Sequence, residues 1–275
     1  MPEILAPFFV VRNDIVLMKF AACIEYDGAL FSGWQKQIAT ETVQERVEQA
    51  LSLVANEKII TVVAGRTDAR VHATGQIIHF KTSAIRPMHS WVMGGNKNLP
   101  QGAAIKWVHP VADDFHARYG ALERSYRYII FNRIVRPTFL HGKVYWNHFS
   151  LDEKQMHRAG QFLLGEHDYS SFRAVGCQAK HPVREIKKLN VSRKGQMVYI
   201  DITANAFLYN MVRIISGSLM MVGQGKVAPE WIKEILEAKD RTVGGVTAPA
   251  SGLYFIGPKY NDSYGLPACQ DYPQL

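Results

Sequence analysis

The amino-acid sequence predicts an α+β protein, because segments with strand periodicity and segments with helical periodicity alternate along all 275 residues. Apolar residues make up 47% of the chain and charged residues 20%, which is typical of a folded globular protein and excludes a disordered one. At roughly 150 residues per domain, the length suggests about two domains. Both halves of the chain mix strands with helices.

The first half contains four predicted strands and two predicted helices. Thr42 and Glu45 have the spacing of a capping box at the start of the first helix. Pro87 suits the first turn of the second helix, and Gly94-Gly95 suits its end. The predicted strands span 15–26, 58–64, 71–80 and 103–109, and the first helix spans 43–55.

The second half repeats this alternation. Lys194-Gly195 marks the turn of a hairpin that spans 184–205. Further strands are predicted at 124–131 and 253–257, and helices at 152–164, 208–222 and 229–239.

Charge is distributed unevenly along the chain, with the basic excess in the second half. Residues 1–112 hold 11 basic and 9 acidic side chains, whereas residues 113–275 hold 21 and 15. We expect an N-terminal extension (1–13), an N-terminal subdomain (14–112), a basic C-terminal subdomain (113–265) and an irregular tail (266–275). The overall net charge of +8 is compatible with a nucleic-acid partner, and equally with an ordinary basic protein.

Several classes of protein are excluded or disfavoured. No apolar run approaches the roughly 18 residues that span a bilayer, so no membrane partner is expected. The three cysteines are scattered and lack a C-x-x-C pair, which favours a reducing cytoplasm over a disulfide scaffold. The sequence has no zinc-binding spacing, no G-x-S-x-G and no phosphate-binding loop. We therefore expect neither a metal nor a cofactor.

Basic and aromatic residues are interleaved in two clusters, one at 118–136 and one at 180–194. Cations could bind phosphates there, and aromatic rings could stack on unpaired bases. A solvated strand face whose other side lies in the core explains the pattern equally well. Members of the first cluster are Arg118, Arg124, Arg127, Arg133 and Arg136 with Tyr119, Tyr126, Tyr128 and Phe131; the second has Lys180, Arg184, Lys187, Lys188, Arg193 and Lys194.

The segment GRTDARVHATGQIIHF (65–80) is the strongest candidate for chemistry. Asp68 lies in a polar turn between two predicted strands, with Arg66 beside it. A cation lowers the pKa of a neighbouring carboxyl group, and an ionised carboxylate can act as nucleophile or base. From these residues alone, a turn aspartate that bonds its own backbone is the more common explanation.

The segment resembles the signature of the TruA-type tRNA pseudouridine synthases. Other segments that resemble this family follow in order: EYDGALFSGWQKQ (25–37), TVQERVEQAL (42–51), DDFHARYGALERSYRYIIFN (113–132), GEHDYSSFRA (165–174), NAFLYNMVRIISGSLMMVG (205–223) and SGLYFIG (251–257). The resemblance covers residues 14 to about 265. It implies a pseudouridine-synthase-like fold of two α/β subdomains, with a largely antiparallel mixed sheet and a central cleft.

The resemblance also implies an activity and its residues. The family isomerises uridine to pseudouridine at positions 38–40 in the anticodon stem-loop of tRNA, as a homodimer without a cofactor. Asp68 matches the nucleophile, Arg213 an arginine that pairs with it, and Arg66 an arginine that helps to extrude the base. Tyr126 matches a tyrosine that packs on the target base, and Leu253 an apolar wall of the pocket.

One position departs from the family pattern, because Arg70 stands where the family usually has glycine. If the backbone has a positive φ there, the arginine costs about 1–2 kcal/mol of strain. Two other functions stay open: a tRNA-binding protein with weak catalysis, which Arg70 favours, and a carboxylate-dependent glycosidic hydrolase. The hydrolase ranks last, because no second carboxylate accompanies Asp68 in the sequence.

Overall fold

The computed structural model describes residues 17–275, and the predicted extension at 1–13 lies outside them. Its strands are β1 (Met18–Tyr26), β2 (Val62–Val63), β3 (His72–Thr82), β4 (Ala103–Pro110), β5 (Glu123–Asn132), β6 (Tyr145–Asn147), β7 (Gly165–Asp168), β8 (Val183–Lys194), β9 (Met197–Ala204) and β10 (Leu253–Lys259). Its helices are α1 (Val43–Ala55), α2 (Met88–Asn98), α3 (Glu153–Gln161), α4 (Met211–Gly223) and α5 (Trp231–Ala238).

The described strands form one open sheet, which confirms the predicted fold class. The strand order is β4-β1-β3-β10-β5-β9-β8-β7, with β2 beside β3 and β6 beside β5. Neighbouring strands are antiparallel except for the parallel pairs β3–β10 and β5–β6. Because β10 comes last in the chain and pairs with both β3 and β5, it joins the strands of the first half to those of the second.

The helices pack on one face of the sheet in two groups. Apolar residues of α1 and α2 form one buried cluster with β1, β3 and β4, and those of α3, α4 and α5 form another with β5, β8 and β9. Leu253 belongs to the second cluster and Phe255 to the first. These residues are two positions apart in β10 and share a face, so both clusters lie on the same side of the sheet.

Loops and the C-terminal tail cover part of the opposite face. The tail (266–275) has no regular secondary structure, but it is held by hydrogen bonds. The Thr74 hydroxyl donates to the Asp271 carbonyl over 2.6 Å, and the Arg127 guanidinium donates to the Pro273 carbonyl over 3.0 Å. The tail therefore contacts strands from both halves of the chain.

The predicted capping box is wrong, although α1 begins where it was predicted. Thr42 makes no side-chain cap bond. Instead, the first amides of α1 donate to backbone carbonyls of the preceding loop: Val43 to Gly33 over 3.2 Å and Gln44 to Trp34 over 3.0 Å. A loop that folds back on the helix therefore replaces the side-chain cap.

The predicted end of α2 is also wrong, because Gly94 and Gly95 lie inside the helix. A Cβ atom on Gly95 would lie 2.4 Å from Ile105 Cδ1, and one on Gly94 would lie 3.0 Å from Val54 Cγ2. The glycines thus permit α2 to pack closely against β4 and α1. The short strands β6 and β7 were not predicted, since they contain too few residues to show a period.

Candidate active site

A cleft of about 800 Å³ opens on the helical side of the sheet, lined by residues from both halves of the chain. All five predicted site residues line it: Arg66, Asp68, Tyr126, Arg213 and Leu253. Strands β5 and β10 provide Tyr126 and Leu253, α4 provides Arg213, and the loop between β2 and β3 provides Arg66 and Asp68. Residues that are far apart in the sequence therefore meet at one site.

Asp68 lies in the tight loop that connects β2 to β3. Its carbonyl accepts the Val71 amide over 3.1 Å, which closes a turn around it. Its side chain is 39% exposed, so it is accessible from the cleft. Burial raises the pKa of the Asp68 carboxyl group, and the charge of Arg213 lowers it only in part. The cation within 4 Å of Asp68 is thus Arg213, which the resemblance paired with it, and not its sequence neighbour Arg66.

Arg213 lies 3.6 Å from Asp68, measured from Nη1 to Oδ2. Its guanidinium is held by two other groups: Nε donates to the Ala248 carbonyl over 2.7 Å, and Nη1 donates to Asn210 Oδ1 over 2.9 Å. The Ala248 amide donates in return to the Arg213 carbonyl over 3.1 Å. The loop that carries Ala248 can approach because Gly217 has no Cβ, which would lie 1.8 Å from the Val246 carbonyl oxygen.

Tyr126 and Leu253 form the apolar floor of the cleft. The Tyr126 ring packs at 5.0 Å against Phe207 and at 5.0 Å against Phe255, measured between ring centroids. Burial raises the pKa of the Tyr126 hydroxyl, so the phenol is neutral at physiological pH. Leu253 is buried at the start of β10. A flat ring and an aliphatic side chain suit contact with a planar base.

Exposed arginines line the rim of the cleft or lie beside it. Among the described residues, the guanidinium groups of Arg66, Arg70 and Arg118 make no ion pair and no hydrogen bond with other side chains or with the backbone. Arg70 has a φ of 66°, so the strained left-handed conformation that the sequence raised as a condition is present. The three side chains are available to bind phosphates.

Several arginines of the two basic clusters are used inside the protein instead. Arg124 donates to the carbonyls of Ala121, Asn205 and Arg118 over 3.1, 2.9 and 2.5 Å. Arg193 donates to Glu153 over 2.8 Å. These arginines thus fit neither a free phosphate-binding surface nor a solvated strand face, because their acceptors are groups of the protein itself.

Sequence reasoning missed Asn210, which orients Arg213. Asn210 directly precedes α4 and has a φ of 58°. An asparagine before an apolar helix suggests an N-cap. Its side chain makes no cap bond and accepts from Arg213 instead, a role that depends on the partner in space.

Two kinds of feature are absent within residues 17–275. No group of three histidine, cysteine or acidic side chains there is arranged to hold a metal ion. None of the helices in this part of the chain has the length and apolarity needed to cross a bilayer.

The fold and the site define a class: an α+β protein whose cleft presents a carboxylate, an arginine and an aromatic floor beneath exposed cations. A family model described as tRNA pseudouridine synthase matches residues 22–120 and 159–261. The protein named tRNA pseudouridine synthase A of Vibrio campbellii is 53% identical over 250 residues, 91% of this chain and 95% of its own. Proteins of the same name from Actinobacillus pleuropneumoniae and Aliivibrio fischeri are 52% identical, with the same coverage. The chain belongs to the tRNA pseudouridine synthase family.

Proposed function

We propose that this protein converts uridine to pseudouridine at positions 38, 39 and 40 in the anticodon stem-loop of tRNA. The observation that carries the proposal is the Asp68–Arg213 pair in a cleft between two halves of a sheet, in a chain that belongs to this family. The reaction is an isomerisation: the C1′–N1 bond breaks, a C1′–C5 bond forms, C5 loses a proton and N1 gains one.

The cleft residues suit the separate needs of this reaction. A carboxylate with free oxygen lone pairs can capture the sugar or the base covalently, and Asp68 has this character; attack at C1′ and attack at C6 both remain open. The target base must leave the stack, and the ring of Tyr126 replaces the lost stacking. Leu253 forms an apolar wall of the pocket that receives the base. The exposed charge of Arg66 supports the extrusion of the base.

The wider setting of the enzyme is proposed with it. The cleft between the two helix groups supports a division into subdomains at residues 112 and 113. The exposed apolar side chains Ile134, Val135 and Phe139, which lie in the one loop between β5 and β6, support a homodimer, because an exposed apolar patch often marks a protein–protein contact. The free thiols and the tRNA substrate favour the cytoplasm. Sedimentation should give twice the 31.0 kDa mass of one chain, and a monomer alone would refute the dimer.

The test is release of tritium from a tRNA transcript labelled at C5 of its uridines, because forming the C1′–C5 bond expels that hydrogen. Transcripts that retain a single uridine at position 38, 39 or 40 assign the target. The proposal expects release from these transcripts and none when all three positions are cytidine. Binding of tRNA without release would favour the alternative of a catalytically weak tRNA-binding protein.

A further inference from the structure

The backbone that carries Asp68 rests on three buried polar side chains. Gln76 on β3 donates its amide to the Gly65 carbonyl over 2.7 Å and to the Tyr26 hydroxyl over 3.4 Å. The Tyr26 hydroxyl lies 2.7 Å from Thr67 Oγ1. Tyr26 is 5% exposed, Thr67 8% and Gln76 0%. The chain of bonds therefore reaches the residue directly before Asp68.

The same backbone is held from the side by the loop before α1. The Trp34 amide donates to the Thr67 carbonyl over 3.0 Å. Gly33 has a φ of +90°, and a Cβ there would lie 2.9 Å from the Thr67 carbonyl oxygen and 3.0 Å from the Ala69 nitrogen. Only a glycine lets this loop approach so closely. This loop therefore bonds to the residue before Asp68 and lies close against the residue after it.

The Asp68 carboxylate itself has little to hold it. Among the described residues it accepts no hydrogen bond, and Arg213 at 3.6 Å is its one ion-pair partner. Its position is consequently set by its own backbone. A carboxylate that must reach a reacting atom needs positioning to a fraction of an ångström, since a misplacement of about 1 Å can cost a hundredfold in rate.

A buried glutamine at position 76 stabilises the fold less than an apolar side chain of the same size would. Its amide oxygen is buried and has no partner among the described residues. A buried unpaired acceptor is destabilising, and an apolar side chain of the same size would avoid that loss. The two bonds that its nitrogen makes toward the catalytic loop explain why an amide stands here. Burial raises the pKa of Tyr26 to about 12, so its hydroxyl keeps its proton.

We propose that Gln76, Tyr26 and Thr67 form a positioning network that fixes the catalytic loop and so sets the Asp68 carboxylate against Arg213 and the target uridine. The inference rests on the proposed function and adds to it the residues that place the nucleophile. The Gln76 amide donates to the Tyr26 hydroxyl, and the Tyr26 and Thr67 hydroxyls share a second hydrogen bond. None of the three is assigned contact with the substrate.

The test uses two isosteric variants of the full-length protein, Tyr26→Phe and Thr67→Val, which each remove one hydroxyl. The matched control is Tyr260→Phe, which removes a buried hydroxyl that donates to the Ala117 carbonyl over 2.6 Å on the other face of the sheet. In the tritium-release assay, we expect kcat to fall roughly ten- to a hundredfold for Tyr26→Phe and Thr67→Val, with KM within about threefold of wild type. Tyr260→Phe should lower the melting temperature comparably and leave kcat within about twofold.

Two further measurements separate positioning from a general loss of structure. Thr67→Ser keeps the hydroxyl and should restore most of the kcat that Thr67→Val loses, which also decides the question if Tyr26→Phe does not fold. The double variant Tyr26→Phe/Thr67→Val should lose little more than either single variant, because both break the same chain of bonds.

Each outcome has a distinct meaning. Active wild type with wild-type kcat in Tyr26→Phe and Thr67→Val would overturn the positioning network and leave the proposed function intact. Equal loss of kcat in Tyr260→Phe would also overturn it, because any buried hydroxyl would then have the same effect. A wild-type protein that releases no tritium would overturn the proposed function, and this inference with it.

Discussion

Two arginine–carboxylate pairs lie on opposite faces of the sheet, Arg127–Asp201 and Arg213–Asp68, and they are built differently. On the face covered by the tail, Arg127 donates to both carboxylate oxygens of Asp201 over 2.7 and 2.8 Å. The same guanidinium lies 4.6 Å from the ring centroid of Tyr199 and 4.9 Å from that of Tyr272. Every side of this arginine is occupied, which is typical of a structural cation.

In the cleft, Arg213 contacts Asp68 at a single distance of 3.6 Å. Its short hydrogen bonds go instead to the Ala248 carbonyl and to Asn210 Oδ1. The carboxylate oxygens of Asp68 stay free, and its pKa is raised by burial. The two carboxylates differ in the number of hydrogen bonds they accept, and this difference separates a structural carboxylate from a reactive one. A carboxylate whose two oxygens both accept from one arginine holds strands together, whereas one that accepts no hydrogen bond is available to react.

Loss of the cleft arginine should give the largest effect. In Arg213→Gln, the charge that faces Asp68 disappears, and we expect kcat to fall roughly a hundredfold, the usual cost of one electrostatic contact at a reacting centre. The free energy of unfolding should change little by comparison. Steady-state tritium release and urea denaturation measure the two quantities. Full activity in the variant would show that Arg213 has no part in the reaction.

Loss of the opposite arginine should affect stability instead. Arg127→Gln leaves Asp201 partly buried without its partner, so we expect a loss of about 2 kcal/mol in the free energy of unfolding. The tail should also become more accessible, which hydrogen exchange at residues 271–275 detects. Activity of the folded fraction should stay within about threefold of wild type. A stable variant with no activity would reverse the distinction between the two pairs.

Arg70→Gly tests the one strained position beside the nucleophile. Glycine accepts the φ of 66° without a clash, so we expect a gain of about 1 kcal/mol in the free energy of unfolding. Catalytic turnover should change by less than about threefold, because the network beneath Asp68 does not involve the Arg70 side chain. A large rise in turnover would instead show that Arg70 impairs the site.

The smallest effect is a displacement of the pH profile. Since burial disfavours the charged carboxylate, the pKa of Asp68 is raised, and kcat/KM should fall with decreasing pH earlier than for an ordinary aspartate. Arg213 counteracts this shift, so Arg213→Gln should move the acid limb further toward neutral pH. Profiles of tritium release for both proteins measure the two limbs. An acid limb that moves to lower pH in the variant would contradict the assigned cause.

The residue pattern predicted those features of the fold that depend on residues close together in the sequence. The bounds of α1 match its periodic residues, and the turn that carries Asp68 was visible as a polar segment between two strands. Leu253 and Arg213 came only from the resemblance, because nothing near them in the sequence indicates that they meet Asp68. Their positions depend on β10 pairing between β3 and β5.

What the sequence could not predict concerns partners in space. Arg124 and Arg127 stand among aromatic residues and were compatible with RNA binding, yet both are saturated by internal acceptors. A charge count cannot show which cations already have partners. The contacts of Tyr26 with Thr67 and of Gln76 with Gly65 likewise join separate segments of the chain. The pattern of residues along the sequence does not predict contacts of this kind.

The most direct test of the central claim compares Asp68→Asn with Asp201→Asn, each assayed for tritium release from C5-labelled tRNA and for stability in urea. Both substitutions remove one carboxylate charge and keep the shape of the side chain. We predict that Asp68→Asn binds tRNA, folds normally and releases no tritium, whereas Asp201→Asn turns over near the wild-type rate and loses about 1–2 kcal/mol of stability. Measurable turnover by Asp68→Asn, or an inactive but fully stable Asp201→Asn, would contradict the division of roles between the two pairs.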